Sequence, residues 1–243
     1  EDEDGNLWIG TEEGLNRYDG IMIKSYSICP QAAGKYISSL YGTKKNIWIG
    51  TDEGIYIYAY ATETFTYFDL TTPNNVRITS IVNHILQDKD GNLWFSTNGQ
   101  GLFRYNLSKN YLEQYEFTSA FGIVASTMAD SDNQIWALTN QGESGVYKLN
   151  KAENKFEPFG LLYNAGNHHS QALAMLEDSE QTLWLGTWEC GLQKIDKYTR
   201  QTTTYLHPTD GKGVTHIHSL MEYAPHQLLI GSDDGLLLFN TLT

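Results

Sequence analysis

The chain has 243 residues, with 16 basic against 29 acidic side chains and a net charge of −13. No basic stripe runs along it, which argues against nucleic acid or an anionic membrane surface as partners of this segment. With 40% hydrophobic residues, 16 Tyr and 6 Trp it reads as folded rather than disordered, and no apolar run approaches the roughly 18 residues that a membrane span needs.

The first element read along the chain is DGNLWIGTEEGLNRYD, Asp4 to Asp19, and IKSY (23–26) follows it. The second copy is ISSLYG (37–42), WIGT (48–51), Gly54 with IYIYA, and FTYF (65–68). In the third, HILQD (84–88) leads into DGNLWFSTNGQGLFRYN, Asp90 to Asn106, and EQYEF (113–117). The fourth reads STMAD (126–130), WALT (136–139), Gly145 with VYKLN, and KFEPF (155–159). The fifth reads LAMLED (173–178), WLGT (184–187), Gly191 with LQKID, and TTTYL (202–206). The sixth has HSLMEY (218–223), LIGS (229–232) and Gly235 with LLLFN.

The anchors are therefore Trp8, Trp48, Trp94, Trp136, Trp184 and Leu229, spaced by 40, 46, 42, 48 and 45 residues. Each full unit predicts four short antiparallel strands, and such a unit at this period predicts an all-β fold, a β-propeller. Strand-like composition and Gly, Asn and Asp punctuation exclude a helical solenoid. Residues 1–243 are expected to be one propeller domain or a propeller segment. The first unit lacks a leading strand and the sixth a final one, so the chain reads as an excised or processed piece whose open sheet edges invite self-association.

In the repeated phrase, the Asp-Gly-Asn turns at Asp4–Asn6 and Asp90–Asn92, and the weaker Asp-Asn-Gln at 132–134, supply positive φ for a hairpin. Tryptophan is expected to fill the wedge between neighbouring sheets, with the small residue two positions on allowing close approach. The acidic pairs Glu12–Glu13, Asp52–Glu53 and Asp233–Asp234 occupy equivalent turns and read as turn formers rather than glycosidase carboxylates. DKDG (88–91) lacks the remaining ligands of a calcium loop. Cys29 and Cys190 have no CxxC spacing, so neither a disulfide framework nor a zinc site is indicated, and two idle thiols are favoured over one bridge. No cofactor, metal site or catalytic residue is expected.

DGNLWIGTEEGLNRYD, NIWIGTDEGIYIY and TLWLGTWECGLQKID resemble the two-component regulator propeller repeats of extracytoplasmic sensor regions in hybrid two-component systems. The resemblance extends over all six units, with the fourth and sixth looser. It implies a periplasmic sensor region with seven-bladed propellers and a β-sandwich, attached through the membrane to a histidine kinase. It also implies detection of oligosaccharides or monosaccharides and control of polysaccharide utilisation genes. Six anchors fall short of the seven the family implies.

Ligand contacts are expected where the repeat is broken: residues 71–83, 160–172 and 207–219, and the turns at 98–101, 140–145 and 188–191. Trp188 is the sole tryptophan off the repeat position, in a turn with Glu189, and suits stacking on a sugar face. His168 and His169 fall in one loop and His207, His216 and His218 in another. His216 and His218 share a strand face if extended, but without a carboxylate or cysteine at suitable spacing zinc is disfavoured and polar ligand contact remains. Arg77 suits either an anionic sugar group or a salt bridge. The leading reading is a non-catalytic sensor propeller. The competitors are a propeller lyase or glycosidase using His168, His169 and His216, and a protein-interaction scaffold.

Overall fold

The computed structural model describes residues 1–28, 36–117, 122–139, 145–161, 171–207 and 213–242, and these form strands and turns with no helix. There are six antiparallel sheets, each with its strands in sequence order. The chain divides into two compact units, Glu1–Glu116 and Phe117–Thr243.

In the first unit, sheet 1 holds β1 (Leu7–Thr11), β2 (Gly14–Tyr18) and β3 (Ile23–Tyr26). Sheet 2 holds β4 (Ile37–Gly42), β5 (Asn46–Thr51), β6 (Gly54–Ala59) and β7 (Thr64–Tyr67). Sheet 3 holds β8 (Val82–Gln87), β9 (Leu93–Thr97), β10 (Leu102–Asn106) and β11 (Tyr111–Tyr115). In the second unit, sheet 4 holds β12 (Val124–Ala129), β13 (Ile135–Thr139), β14 (Gly145–Asn150) and β15 (Lys155–Leu161). Sheet 5 holds β16 (Ala172–Glu177), β17 (Leu183–Thr187), β18 (Leu192–Ile195) and β19 (Thr202–Tyr205). Sheet 6 holds β20 (Ile217–Ala224), β21 (Gln227–Ser232) and β22 (Gly235–Asn240). The strands fall on the segments expected from the repeat, with three in sheets 1 and 6 and four elsewhere.

Most letters of the repeated phrase have a contact. In four sheets the anchor indole donates to a carboxylate six residues earlier: Trp8 to Asp2 (2.7 Å), Trp94 to Asp88 (2.8 Å), Trp136 to Asp130 (2.9 Å) and Trp184 to Asp178 (2.7 Å). The same carboxylate caps the intervening loop. Asp88 accepts the backbone N–H of Asp90 and Asn92 and the Asn92 amide, so its charge is met by several donors where it is buried. This loop spans five residues, Asp88 to Asn92, with its one positive φ at Gly91 (82°). It is thus a carboxylate-capped loop rather than the tighter two-residue hairpin.

The hydroxyl that closes Trp-x-Gly-Thr has an equally regular task. Thr11, Thr51, Thr97, Thr139, Thr187 and Ser232 each donate to the carbonyl of the glycine that starts or immediately precedes the next strand. In return a turn N–H, such as that of Glu53 or Cys190, donates to the hydroxyl. A threonine or serine at this place fixes the hairpin that carries the loop-end turn.

Within each unit, tryptophan sits between its own sheet and the next, as expected. Trp48 packs with Val82 and Phe95 of sheet 3, Trp136 with Leu183 and Leu185 of sheet 5, and Trp184 with Leu228 and Ile230 of sheet 6. Close approach requires the small residue: a Cβ on Gly50 would lie 2.9 Å from both the Val82 Cβ and the Val82 carbonyl oxygen. In the same four sheets that carry the aspartate, a cation lies over the indole from the neighbouring strand: Arg17 on Trp8 (5.9 Å), Arg104 on Trp94 (5.6 Å), Lys148 on Trp136 (5.2 Å) and Lys194 on Trp184 (5.7 Å).

Within each unit, the turns between second and third strands meet the segments that join sheets. Asn98 donates to the Ile81 carbonyl, and the Gln100 side chain ties together Arg77, Thr79 and Ser80. Trp188 donates to the Gln171 carbonyl in the second unit. Both kinds of segment therefore build one end of the sheets, the end at which ligand contacts are expected.

Candidate ligand site

At this end of the second unit, the turn after β17 carries Trp188 and the segment entering β20 carries His216. Two backbone bonds fix the turn: Trp188 donates to Gln171, and its carbonyl accepts the His216 N–H at 3.0 Å. The rings then stack, with centroids 3.8 Å apart and planes at 28°, while His218 meets Trp188 edge-on at 6.4 Å and 82°. Trp188 keeps 39% of its surface exposed.

His216 has φ of 51° and precedes β20, so the two histidines do not share an extended strand face. They converge for another reason: Asp233, in the turn between β21 and β22, accepts from both. His216 Nδ1 lies 2.5 Å from one Asp233 oxygen and His218 Nε2 lies 2.7 Å from the other. Each of those nitrogens carries a proton, which leaves Nε2 of His216 and Nδ1 of His218 for a ligand. The hydrogen bond from His216, then that from His218, holds the Asp233 carboxyl below the usual carboxylate range. Next to it, Asp234 accepts from the N–H and hydroxyl of Thr215 at 3.4 Å.

The sequence offers these histidines no carboxylate at metal-ligand spacing, and the fold brings Asp233 to them from 17 and 15 residues away. Asp233 looks like a repeated turn former because Asp52 holds the equivalent place, and only the histidines arriving from the neighbouring segment give it a second task. The signal available in the sequence was that SDDG is the acidic turn of the same unit that carries THIHS.

Of the remaining expected residues, Glu189 stands exposed in the same turn as Trp188, and Cys190 beside it is buried. Arg77 lies in the first unit, its guanidinium 2.7 Å from Asp69, the salt-bridge alternative. His168, His169 and Cys29 lie outside the described residues. Among the described residues no group of three or more His, Cys, Asp or Glu is placed to hold a metal ion. The arrangement offers an aromatic platform with an imidazole and carboxylate rim, which suits the apolar face and hydroxyl edge of a sugar ring.

Residues 75–99, running from the joining segment through β8 and β9, match the family described as two component regulator propeller. The repeat unit to which residues 75–99 belong is thus similar to the two-component regulator propeller type. The whole chain superposes on the extracellular domain described for the hybrid two component system BT4673 of B. thetaiotaomicron, with TM-score 0.80 and 25% identity, covering 31% of that chain. The corresponding domain of BT3049 from the same organism gives 0.78 and 22%, with 33% of its chain covered. Histidine kinase P4 of Formosa agariphila is 26% identical over 179 residues, which are 70% of this chain and 13% of that protein. The propeller-type fold is also shared with streptogramin B lyase, at 18% identity and TM-score 0.66.

Proposed function

We propose that this propeller segment is a ligand-sensing part of the extracytoplasmic, periplasmic region of a hybrid two-component sensor histidine kinase. It binds an oligosaccharide or monosaccharide without turning it over. Occupancy is passed to a neighbouring propeller and β-sandwich of the same sensor and controls polysaccharide utilisation genes. The observation that carries this reading is the two-component regulator propeller repeat, together with likeness over 100% of the chain to the extracellular domain described for BT4673. The Trp188 platform with His216, His218 and Asp233 supports a saccharide as the ligand, with Glu189 beside it.

The test is a panel of oligosaccharides and monosaccharides scored both for a rise in Tm and for product. Stabilisation without product is expected. The Trp188→Ala variant should lose at least tenfold in affinity while its own melting temperature barely changes, because the ring is exposed. Unchanged affinity in that variant removes the platform from the site. Product formation that disappears in His216→Ala replaces the sensor with a lyase, the reading favoured by the Asp233–histidine hydrogen bonds. Exposed apolar residues on sheets 1 and 6, such as Ile23 (65%) and Leu238 (55%), support self-association of the segment. Light scattering that gives a monomer at every concentration overturns it.

A further inference from the structure

Sheet 2 is the one sheet with an anchor tryptophan that lacks both of its usual partners. β4 ends at Gly42, and the loop to β5 is one residue shorter than its counterparts: Thr43 N–H donates to the Asn46 carbonyl, where Asp88 N–H donates to the Asn92 carbonyl. The Thr43 hydroxyl oxygen accepts the Lys45 and Asn46 amides, the loop-capping task of the aspartate. A threonine side chain carries no carboxylate to hold the indole. Opposite Trp48 in register stands Ile57, where Trp8, Trp94, Trp136 and Trp184 face Arg17, Arg104, Lys148 and Lys194. Trp48 is only 4% exposed, and among the described residues its indole N–H makes no hydrogen bond.

Beside Gly42, the position six residues before Trp48, lies a cavity of about 550 Å³; sheet 2 lines it with Gly42, Lys45, Asn46, Trp48 and Tyr60, and residues before sheet 1 and from sheet 3 complete it. This is within the usual size range of small-molecule sites. The Tyr60 hydroxyl, the Asn46 amide and the Lys45 ammonium also make no side-chain hydrogen bond or ion pair among the described residues. Desolvation, then the charges of Asp2, Glu3 and Asp4, push the Tyr60 phenol up, so it remains a donor at neutral pH. The buried indole and the half-buried Tyr60 and Asn46, with the exposed Lys45 at the rim, offer donors that an acceptor of two oxygens can meet. Glu1, Asp2 and Glu3 also line the cavity, opposite Lys44 and Lys45, and this balance favours a singly charged acceptor over a doubly charged phosphate or sulfate.

We propose that this cavity binds a ligand carboxylate in place of the missing aspartate, and that the ligand is a uronic acid or a saccharide ending in one. The carboxylate half stands on the unpartnered Trp48 indole and its cavity, whereas the sugar half rests on the saccharide-sensing reading above.

The test uses the whole chain labelled with ¹⁵N, following the six indole N–H signals during titration with sodium glucuronate, glucose and acetate. Trp48→Phe assigns the relevant signal. Glucuronate should shift it at millimolar concentration, acetate at least tenfold more weakly, and glucose not at all. Gly42→Asp supplies a second test that leaves the tryptophan in place. A Cβ at Gly42 meets nothing nearer than the Tyr60 hydroxyl at 3.9 Å, so the variant puts a carboxylate in the cavity and should abolish the glucuronate shift. A Trp48 signal unmoved by glucuronate and acetate alike, a glucose shift as large as that of glucuronate, or a glucuronate shift that survives in Gly42→Asp overturns the proposal. Acetate acting as strongly as glucuronate overturns the sugar half and supports the carboxylate half. Neutral oligosaccharide binding that is lost in Trp188→Ala reports on the other site alone, so the two readings fail separately.

Discussion

The two units carry the same repeat but join their sheets by different chemistry. In the first, the buried part of the seams is aromatic and neutral, with ion pairs only between exposed side chains such as Lys24–Glu63 and Lys44–Glu3: Trp8 meets Tyr58 at 5.2 Å, Trp48 meets Phe95 at 5.8 Å, and the Ser38 and Ser39 hydroxyls donate to the Val82 carbonyl of the next sheet. In the second, a charge network crosses from sheet 4 to sheet 5. Lys197 reaches Glu177 (2.7 Å), Asp132 (3.3 Å) and Asp130 (3.8 Å), and Asp130 is the carboxylate that also holds Trp136. The Ser131 hydroxyl donates across the same seam to Glu177, and Ser179 repeats the contact one seam later, to Glu222. A neutral seam depends on volume and fails by overpacking. A charged seam depends on balance and fails when one partner is removed.

The largest effect should therefore come from the charged seam. Lys197 is 5% exposed, against 2% for Asp130 and 9% for Glu177, so Lys197→Ala leaves buried carboxylates uncompensated and should cost about 3–5 kcal/mol in denaturant unfolding. A cost near zero would reduce the network to a bystander. Burial pulls the Lys197 ammonium down, but the hydrogen bond and charge of Glu177, then the charge of Asp130, outweigh it and hold the pKa above the usual lysine value. The contribution is thus complete below the ordinary lysine range and is lost only as pH rises through the higher folded value.

Next in size is the neutral seam. Gly50→Ala drives a Cβ against Val82 and should cost about 1–3 kcal/mol by the same measurement, with no dependence on salt. A neutral result would mean that β5 and β8 can move apart, and the glycine would lose its packing role.

How much of this was legible follows from which interactions repeat. Trp8, Trp48, Trp136 and Trp184 could be read as wedges because period alone places them, and the Thr or Ser that closes WIGT, WFST, WALT, WLGT and LIGS marks the hairpin of every copy. The indole-to-aspartate bond is not among the sequence expectations although Asp2, Asp88, Asp130 and Asp178 keep a constant distance of six residues, because Asp88, Asp130 and Asp178 read there as the ends of the apolar segments HILQD, STMAD and LAMLED. Asp233 was missed because it meets His216 and His218 through tertiary contact between a turn and a joining segment, and periodicity carries no information on that contact. Trp188 was legible as an exception to the repeat. Its stacking partner was not, since the positive φ of His216 is invisible in a run that otherwise reads as a strand.

The smallest expected effect tests whether Asp233 organises the platform or merely decorates it. Its pKa is lowered by hydrogen bonds from His216 and His218, so its contribution is present above the ordinary carboxylate value of 3.8 and is lost as pH falls through the lower folded value. The group is exposed and solvent-screened, and global stability should hardly register the loss. The local signal should be larger, because the carboxylate fixes the imidazole that lies 3.8 Å from the Trp188 ring. In Asp233→Asn at neutral pH, and in the parent chain under acid, Trp188 fluorescence should change with little loss of Tm, and saccharide affinity should fall with it. If the fluorescence of the variant matches the parent at neutral pH, stacking is set by the backbone bond from His216 to the Trp188 carbonyl, and Asp233 returns to being a turn former like Asp52.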